Sequence, residues 1–92
     1  MKKCLKIHVV GRVQDHVFKT LVQKQAQALG LEGTLQNAED QNVVVYVRGG
    51  MSELDLFVDN LYKDTAKNKI LDILTEPFTQ ERDFRGVFRI IE

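Results

Sequence analysis

Between Leu5 and Leu29 the spacing of apolar residues changes from two to three and four, so the chain must open with a strand that feeds a helix. Leu5, Ile7 and Val9 alternate with Lys6 and His8, the pattern of a strand with one buried face. From about Val17 the period lengthens, and Phe18, Leu21, Val22, Ala26 and Leu29 fall on one helical stripe. Gly30 follows, where a left-handed C-terminal cap favours glycine. Residues 33–37 read as a short strand, 38–42 as a polar turn, and 43–47 as a β-branched strand close enough to form a hairpin. Gly49-Gly50 ends that strand, and Ser52-Glu53-Leu54-Asp55 has the form of a capping box. Leu54, Phe57, Val58 and Leu61 then give the stripe of a second helix. Residues 64–68 are a charged connection, 70–75 a fourth strand closed by Pro77, and 87–91 a short fifth strand. The expected fold class is α+β. It is a ferredoxin-like β-α-β-β-α-β sandwich with an extra C-terminal strand, both helices lying on one face of a mostly antiparallel sheet.

Ninety-two residues make one domain, residues 1–92, with no linker, repeat or low-complexity segment. Thirteen basic and thirteen acidic residues cancel, so no global field draws the chain to nucleic acid or to a membrane. The longest apolar run, residues 43–47, is far short of the ~20 residues a membrane-spanning helix needs. The charged N-terminus lacks a signal peptide's apolar stretch, and the single cysteine forms no internal disulfide. No Cys/His set has metal spacing. A cytoplasmic monomer without metal or cofactor is expected. The charge is uneven along the chain, however. Lys2, Lys3, Lys6, Arg12, Lys19 and Lys24 face only Asp15 in the first 25 residues, which is either a local anion site or an ordinary solvated face.

The segment from Val9 to Lys19, Val-Val-Gly-Arg-Val-Gln-Asp-His-Val-Phe-Lys, leaves a strand and enters a helix. Such a turn exposes unpaired backbone N–H groups, and the helix dipole adds partial positive charge. Together they can hold phosphate or carboxylate, with Lys19 reaching back from the first helical turn. Every strand-to-helix turn shares these features, so the physics alone leaves an ordinary turn open.

The same residues resemble the signature of the acylphosphatase family, Val-x-Gly-x-Val-Gln-Gly-Val-x-Phe-Arg. Residues 26–37, Ala-Gln-Ala-Leu-Gly-Leu-Glu-Gly-Thr-Leu-Gln-Asn, are similar to the family's second block, and Asp40 falls at its turn Asp. Residues 84–90, Phe-Arg-Gly-Val-Phe-Arg-Ile, are similar to its ending. The resemblance implies a hydrolase that cleaves acyl phosphates to carboxylate and phosphate, with no metal and no covalent intermediate. It implies a phosphate-binding loop at Gln14, Asp15, His16, Val17 and Phe18, the family arginine's position at Lys19, and a water-orienting role for Asn37. The partner would be a small-molecule acyl phosphate, or inorganic phosphate or sulfate. Phosphoryl transfer needs positioning and charge stabilisation above all, so one cation and one fixed water suit it. Without the family, Asn37 reads as a turn residue bonding its own backbone.

Four departures stand out. Lys19 replaces arginine, keeping the charge and losing the two-pronged grip, at a cost of roughly 1.5–3 kcal/mol for a charged hydrogen bond. Asp15 replaces the loop glycine, and its carboxylate at ~5 Å from a phosphate charge is repelled by about 3 kcal/mol at an effective dielectric of ~20. If it points into solvent, most of that is screened. His16 replaces valine at the loop apex, either as an exposed bystander or as a cation beside the phosphate. The turn 40–42 lacks the family's glycine, a place where Asn42 can supply the left-handed residue. A weak acylphosphatase is therefore expected, and the alternative is a non-catalytic anion-binding or interaction module. Cys4 reads as a small edge or surface residue, and His8 as facing solvent or lying under a loop. Tyr46 sits where some RNA-binding domains of this fold place a stacking aromatic, but the matching aromatic on the first strand is missing.

Overall fold

The computed structural model describes residues 2–63, 70–79 and 83–91. Among the described residues the strands and α-helices follow in the order β1 (Lys2–Gly11), α1 (His16–Ala28), β2 (Glu32–Asn37), β3 (Val43–Gly50), α2 (Met51–Lys63), β4 (Ile70–Pro77) and β5 (Phe88–Ile91), with a 3-10 turn at Glu39–Gln41 between β2 and β3. The five strands form one sheet in the order β4-β1-β3-β2-β5. All neighbours are antiparallel except β2 and β5, which run parallel with Gly33 beside Phe88 and Gln36 beside Ile91. This is the ferredoxin-like arrangement expected, with the fifth strand added at one edge. The charged connection at residues 64–68 lies outside the described residues. Among the described residues, no helix is long and apolar enough to cross a membrane.

Alternation sorts the sheet's residues between two faces. Ile7, Val9, Leu35, Val43, Val45 and Val47 pack under Phe18, Val22 and Ala26 of α1 and Leu54, Phe57 and Leu61 of α2. The other face carries a smaller apolar cluster. Tyr46 meets Phe78 edge-on at 4.9 Å, and Phe84 is buried although it lies outside the main core. Tyr46 is thus engaged in packing. His8 also lies on this face and is half-buried, with its Nε2 shielded from solvent.

Several boundaries refine the sequence reading. Helix α1 ends in a Schellman motif: Gly30 N–H donates to Gln27 O and Leu31 N–H to Ala26 O, while Gly30 takes φ of 70°. Helix α2 begins at Met51, so Ser52 lies inside the helix and the capping box expected at Ser52–Asp55 is not where the helix starts. The Glu53 carboxylate lies against Gly50, where an added Cβ would stand 2.5 Å from its Oε1. Left-handed φ values in the β2–β3 turn fall on Asp40 (55°) and Gln41 (69°), whereas Asn42 is extended. Asn42 was expected to supply the left-handed residue. Its side chain instead serves the loop after β1, as described below. In β4 a bulge opposite Val10 and Gly11 leaves Leu71 unpaired and 82% exposed. Beyond it, Asp72 Oδ1 accepts from Ile73 N–H at 2.8 Å and Tyr62 Oη donates to Ile73 O at 3.3 Å.

Gly33 has less room than Gly30, Gly49, Gly50 or Gly86. A Cβ there would stand 1.9 Å from Tyr46 O on the neighbouring strand. Gly33→Ala is expected to destabilise by at least about 2 kcal/mol through displaced backbone. A lowered urea midpoint at unchanged slope would register this, and a midpoint within error of wild type would contradict the close approach.

Candidate active site

The carboxyl ends of β1 and β2 lie at the same edge of the sheet, because Val9 and Asn37 flank Val43 from opposite sides. With strands ~4.8 Å apart, about 10 Å separates Val9 from Asn37, and the loop of residues 12–15 closes over that gap.

That loop is pinned to the β2–β3 turn. Gly11 N–H donates to Asn42 Oδ1 at 3.0 Å, and Val13 N–H to Gln41 O at 3.1 Å. Gln14 Nε2 donates both its hydrogens, one to Ala38 O and one to Asn42 O, each at 2.9 Å. Val13 is fully buried. The Gly-x-Val-Gln segment is thereby explained as architecture: the valine anchors the loop in the core and the glutamine ties it to the turn that follows Asn37. The Gln14 side chain is committed to this clamp.

Asp15 is the N-cap of α1. Its backbone is extended (φ −74°, ψ 152°), and its Oδ1 accepts from Phe18 N–H at 2.8 Å. The carboxylate therefore turns onto the helix N-terminus, where its negative charge meets the positive end of the dipole. Of the five amides assigned to the cradle, that of Phe18 is occupied by the protein itself. Among the described residues, the amides of Gln14, Asp15, His16 and Val17 donate no hydrogen bond outside the helix. His16 and Val17 are exposed at the loop apex, with His16 Nε2 at 3.4 Å from Thr20 Oγ1.

Lys19 is only 3% exposed. Its side chain is thus enclosed by the fold and not spread over the surface. It is set one helical turn before Gln23, whose Nε2 donates to Phe88 O at 3.0 Å, so this side of α1 faces β5. Asn37 is the last residue of β2 and is exposed. Its position next to Ala38 means the Gln14 clamp fixes it relative to the loop. Among the described residues, no three His, Cys, Asp or Glu side chains converge as a metal would require.

The acylphosphatase family model matches residues 5–90 of this chain. The chain belongs to the acylphosphatase family. An acylphosphatase of Geobacillus kaustophilus is 34% identical over 88 residues, covering 90% of this chain and 94% of that protein. The crystal structure of acylphosphatase from Bacillus subtilis superposes with a TM-score of 0.86 at 27% identity, covering the whole of both chains. The fold also occurs inside a larger protein. HypF of T. kodakarensis matches with a TM-score of 0.80 at 27% identity, over 100% of this chain and 12% of that one. Membership and shape together support acylphosphatase-type function on small-molecule acyl phosphates.

The sequence reading missed the cap and the clamp. An Asp immediately before a helical stripe is a standard N-cap signal, so the direction of Asp15 was accessible to a reader. The clamp was not, because Gln14 and its acceptors are 24 and 28 residues apart. Gln14→Ala is expected to destabilise by about 1–3 kcal/mol by leaving two carbonyls without their donor. Asp15→Gly, by contrast, is expected to change stability by only a few tenths of a kcal/mol, roughly, since glycine also caps well. Paired urea melts check both, and equal losses would mean the clamp contributes no more than the cap.

Proposed function

We propose that this protein cleaves the carboxyl–phosphate bond of acyl phosphates slowly, seating the phosphoryl group on the loop amides of Gln14, Asp15, His16 and Val17. The observation that carries this reading is the run of four amides around a helix N-terminus that, among the described residues, donate no hydrogen bond outside the helix. Buried Lys19 supplies the neighbouring positive charge. Asn37, across the sheet edge, accepts a hydrogen bond from the attacking water through its side-chain carbonyl. Water adds its oxygen to phosphorus, the phosphorus–oxygen bond to the acyl group breaks, and the products are a carboxylate and dihydrogen phosphate. The carboxylate leaves readily, so no metal, cofactor or covalent intermediate is needed. The protein acts on small molecules as a cytoplasmic monomer, and its zero net charge supports the reading that nucleic acid and membranes are not partners.

Two features keep the rate low. Lysine offers a point charge where a guanidinium would offer two parallel bonds, a difference of roughly 10- to 150-fold if it acts only in the transition state. The Asp15 carboxylate competes with phosphate for Phe18 N–H and for the dipole. Because Asp15 is exposed, solvent screens much of its repulsion, which slows the reaction without abolishing it. The same Asp15–Phe18 bond favours the second reading, a non-catalytic anion-binding module in which the capped helix no longer turns over substrate.

Benzoyl phosphate hydrolysis by wild type, Lys19→Arg, Asp15→Gly, the double variant and Lys19→Ala decides between them. A slow enzyme shows wild-type turnover that Lys19→Ala removes, and the double variant gains at least about tenfold. Wild-type turnover at background, unaltered by Lys19→Ala, would rule the enzyme out.

A further inference from the structure

Compared with a loop that has glycine before the helix, the seat proposed above has one donor fewer and one negative charge more. Both differences come from Asp15, which stands at the glycine of the family signature. Its carboxylate accepts from Phe18 N–H at 2.8 Å, so that amide is committed to the helix cap. The amides left for a ligand, those of Gln14, Asp15, His16 and Val17, all lie within two residues of a side chain that repels anions. A fully ionised acyl phosphate presents two charges spread over three free phosphoryl oxygens. Turning one of those oxygens into an ester removes one charge and one strong acceptor. A seat that is short of one donor and carries its own anion matches a phosphoryl group reduced in this way. A substituent on the outward oxygen meets solvent at the loop apex, because Asp15, His16 and Val17 are all exposed.

We propose that Asp15 turns the specificity of the seat towards acyl phosphate monoesters, mixed anhydrides whose phosphorus carries one negative charge and one alkyl ester. The proposal rests on the hydrolase reading above and names the substrate class of the same site. The bond that breaks is unchanged. Water adds its oxygen to phosphorus, and the bond from phosphorus to the acyl oxygen breaks with its electron pair going to the carboxylate. The water's proton passes to solvent, and the second product is a phosphate monoester in place of inorganic phosphate. Asp15 discriminates by repulsion: its charge acts on either substrate, and on the dianion it meets twice the charge. Solvent screens an exposed carboxylate, so the selectivity has the scale of a surface interaction and not of a buried one.

The test compares benzoyl phosphate with benzoyl methyl phosphate as substrates at about pH 8, where the first is a dianion and the second a monoanion. Benzoylphosphonate and its methyl ester serve as non-hydrolysable binding probes, followed through the amide chemical shifts of residues 14–18. Wild type is expected to favour the methyl ester of each pair by about fivefold, the scale of one exposed charge interaction. Asp15→Asn keeps a capping oxygen and removes the charge, so the ratio is expected to fall to near one, with a retained amide spectrum as the control for folding. Asp15→Gly also frees Phe18 N–H, and there the dianion is expected to bind better and to shift that amide too. Equal handling of the two compounds by wild type would overturn the selectivity and leave the phosphate seat standing. So would a preference that survives Asp15→Asn. If neither phosphonate moves the loop amides, the seat itself is absent and both readings fall. Because binding is read separately from turnover, a protein that binds but does not hydrolyse still decides the question.

Discussion

The two hydrogen bonds from the Gln14 amide group are the constraint on which this end of the molecule depends. Without them the loop after β1 and the turn after β2 are separate surface segments, each free to choose its own conformation. With them, and with Asn42 accepting from Gly11 N–H, the two segments become one rigid unit that carries the loop amides and Asn37 together. Positioning is most of what phosphoryl transfer asks of a protein, and in the proposed reaction the clamp supplies it through side chains outside the phosphate seat. That is why a site can keep its frame while the residues nearest the phosphate change.

Asp15 shows how such a change is tolerated. Glycine at an N-cap leaves the first turn's amides for a ligand, whereas aspartate brings its own anion and takes one of them. Here the capping carboxylate of Asp15 takes the Phe18 amide for the helix itself. Lys19 preserves the local positive charge in a buried setting, so the electrostatic balance of the loop is altered at one position more than at the other. His16 and Val17, exposed at the apex, are the residues least restrained by the fold.

Most of the fold was legible in the chain. The shift from alternating Leu5, Ile7 and Val9 to the Phe18–Leu29 stripe fixed the opening strand and helix, and Gly30 marked the helix end where the Schellman bonds form. These are local signals, carried by neighbours in sequence. The start of α2 was less legible because Gly50 and Ser52 are both acceptable caps, and only the packing of Glu53 against Gly50 separates them. The tertiary bonds of the site were hidden for a different reason. Gln14 and Asn42 are polar residues whose partners lie 24 to 31 positions away, and no periodicity reports such a bond. The burial of Lys19 was equally invisible, since a lysine on a helix reads as solvent-facing by default.

The bulge at Leu71 governs how this molecule behaves among its own copies. An open sheet offers two rows of backbone groups to any passing extended chain, and such rows seed fibrous aggregates. Here one border is interrupted at Leu71, and just beyond it both outward groups of Ile73 are covered by Asp72 and Tyr62 of the same chain. The opposite border is the four-residue strand β5, too short to template a long pairing. Along both margins of the sheet, then, a passing extended chain finds few consecutive backbone groups of the described residues to pair with.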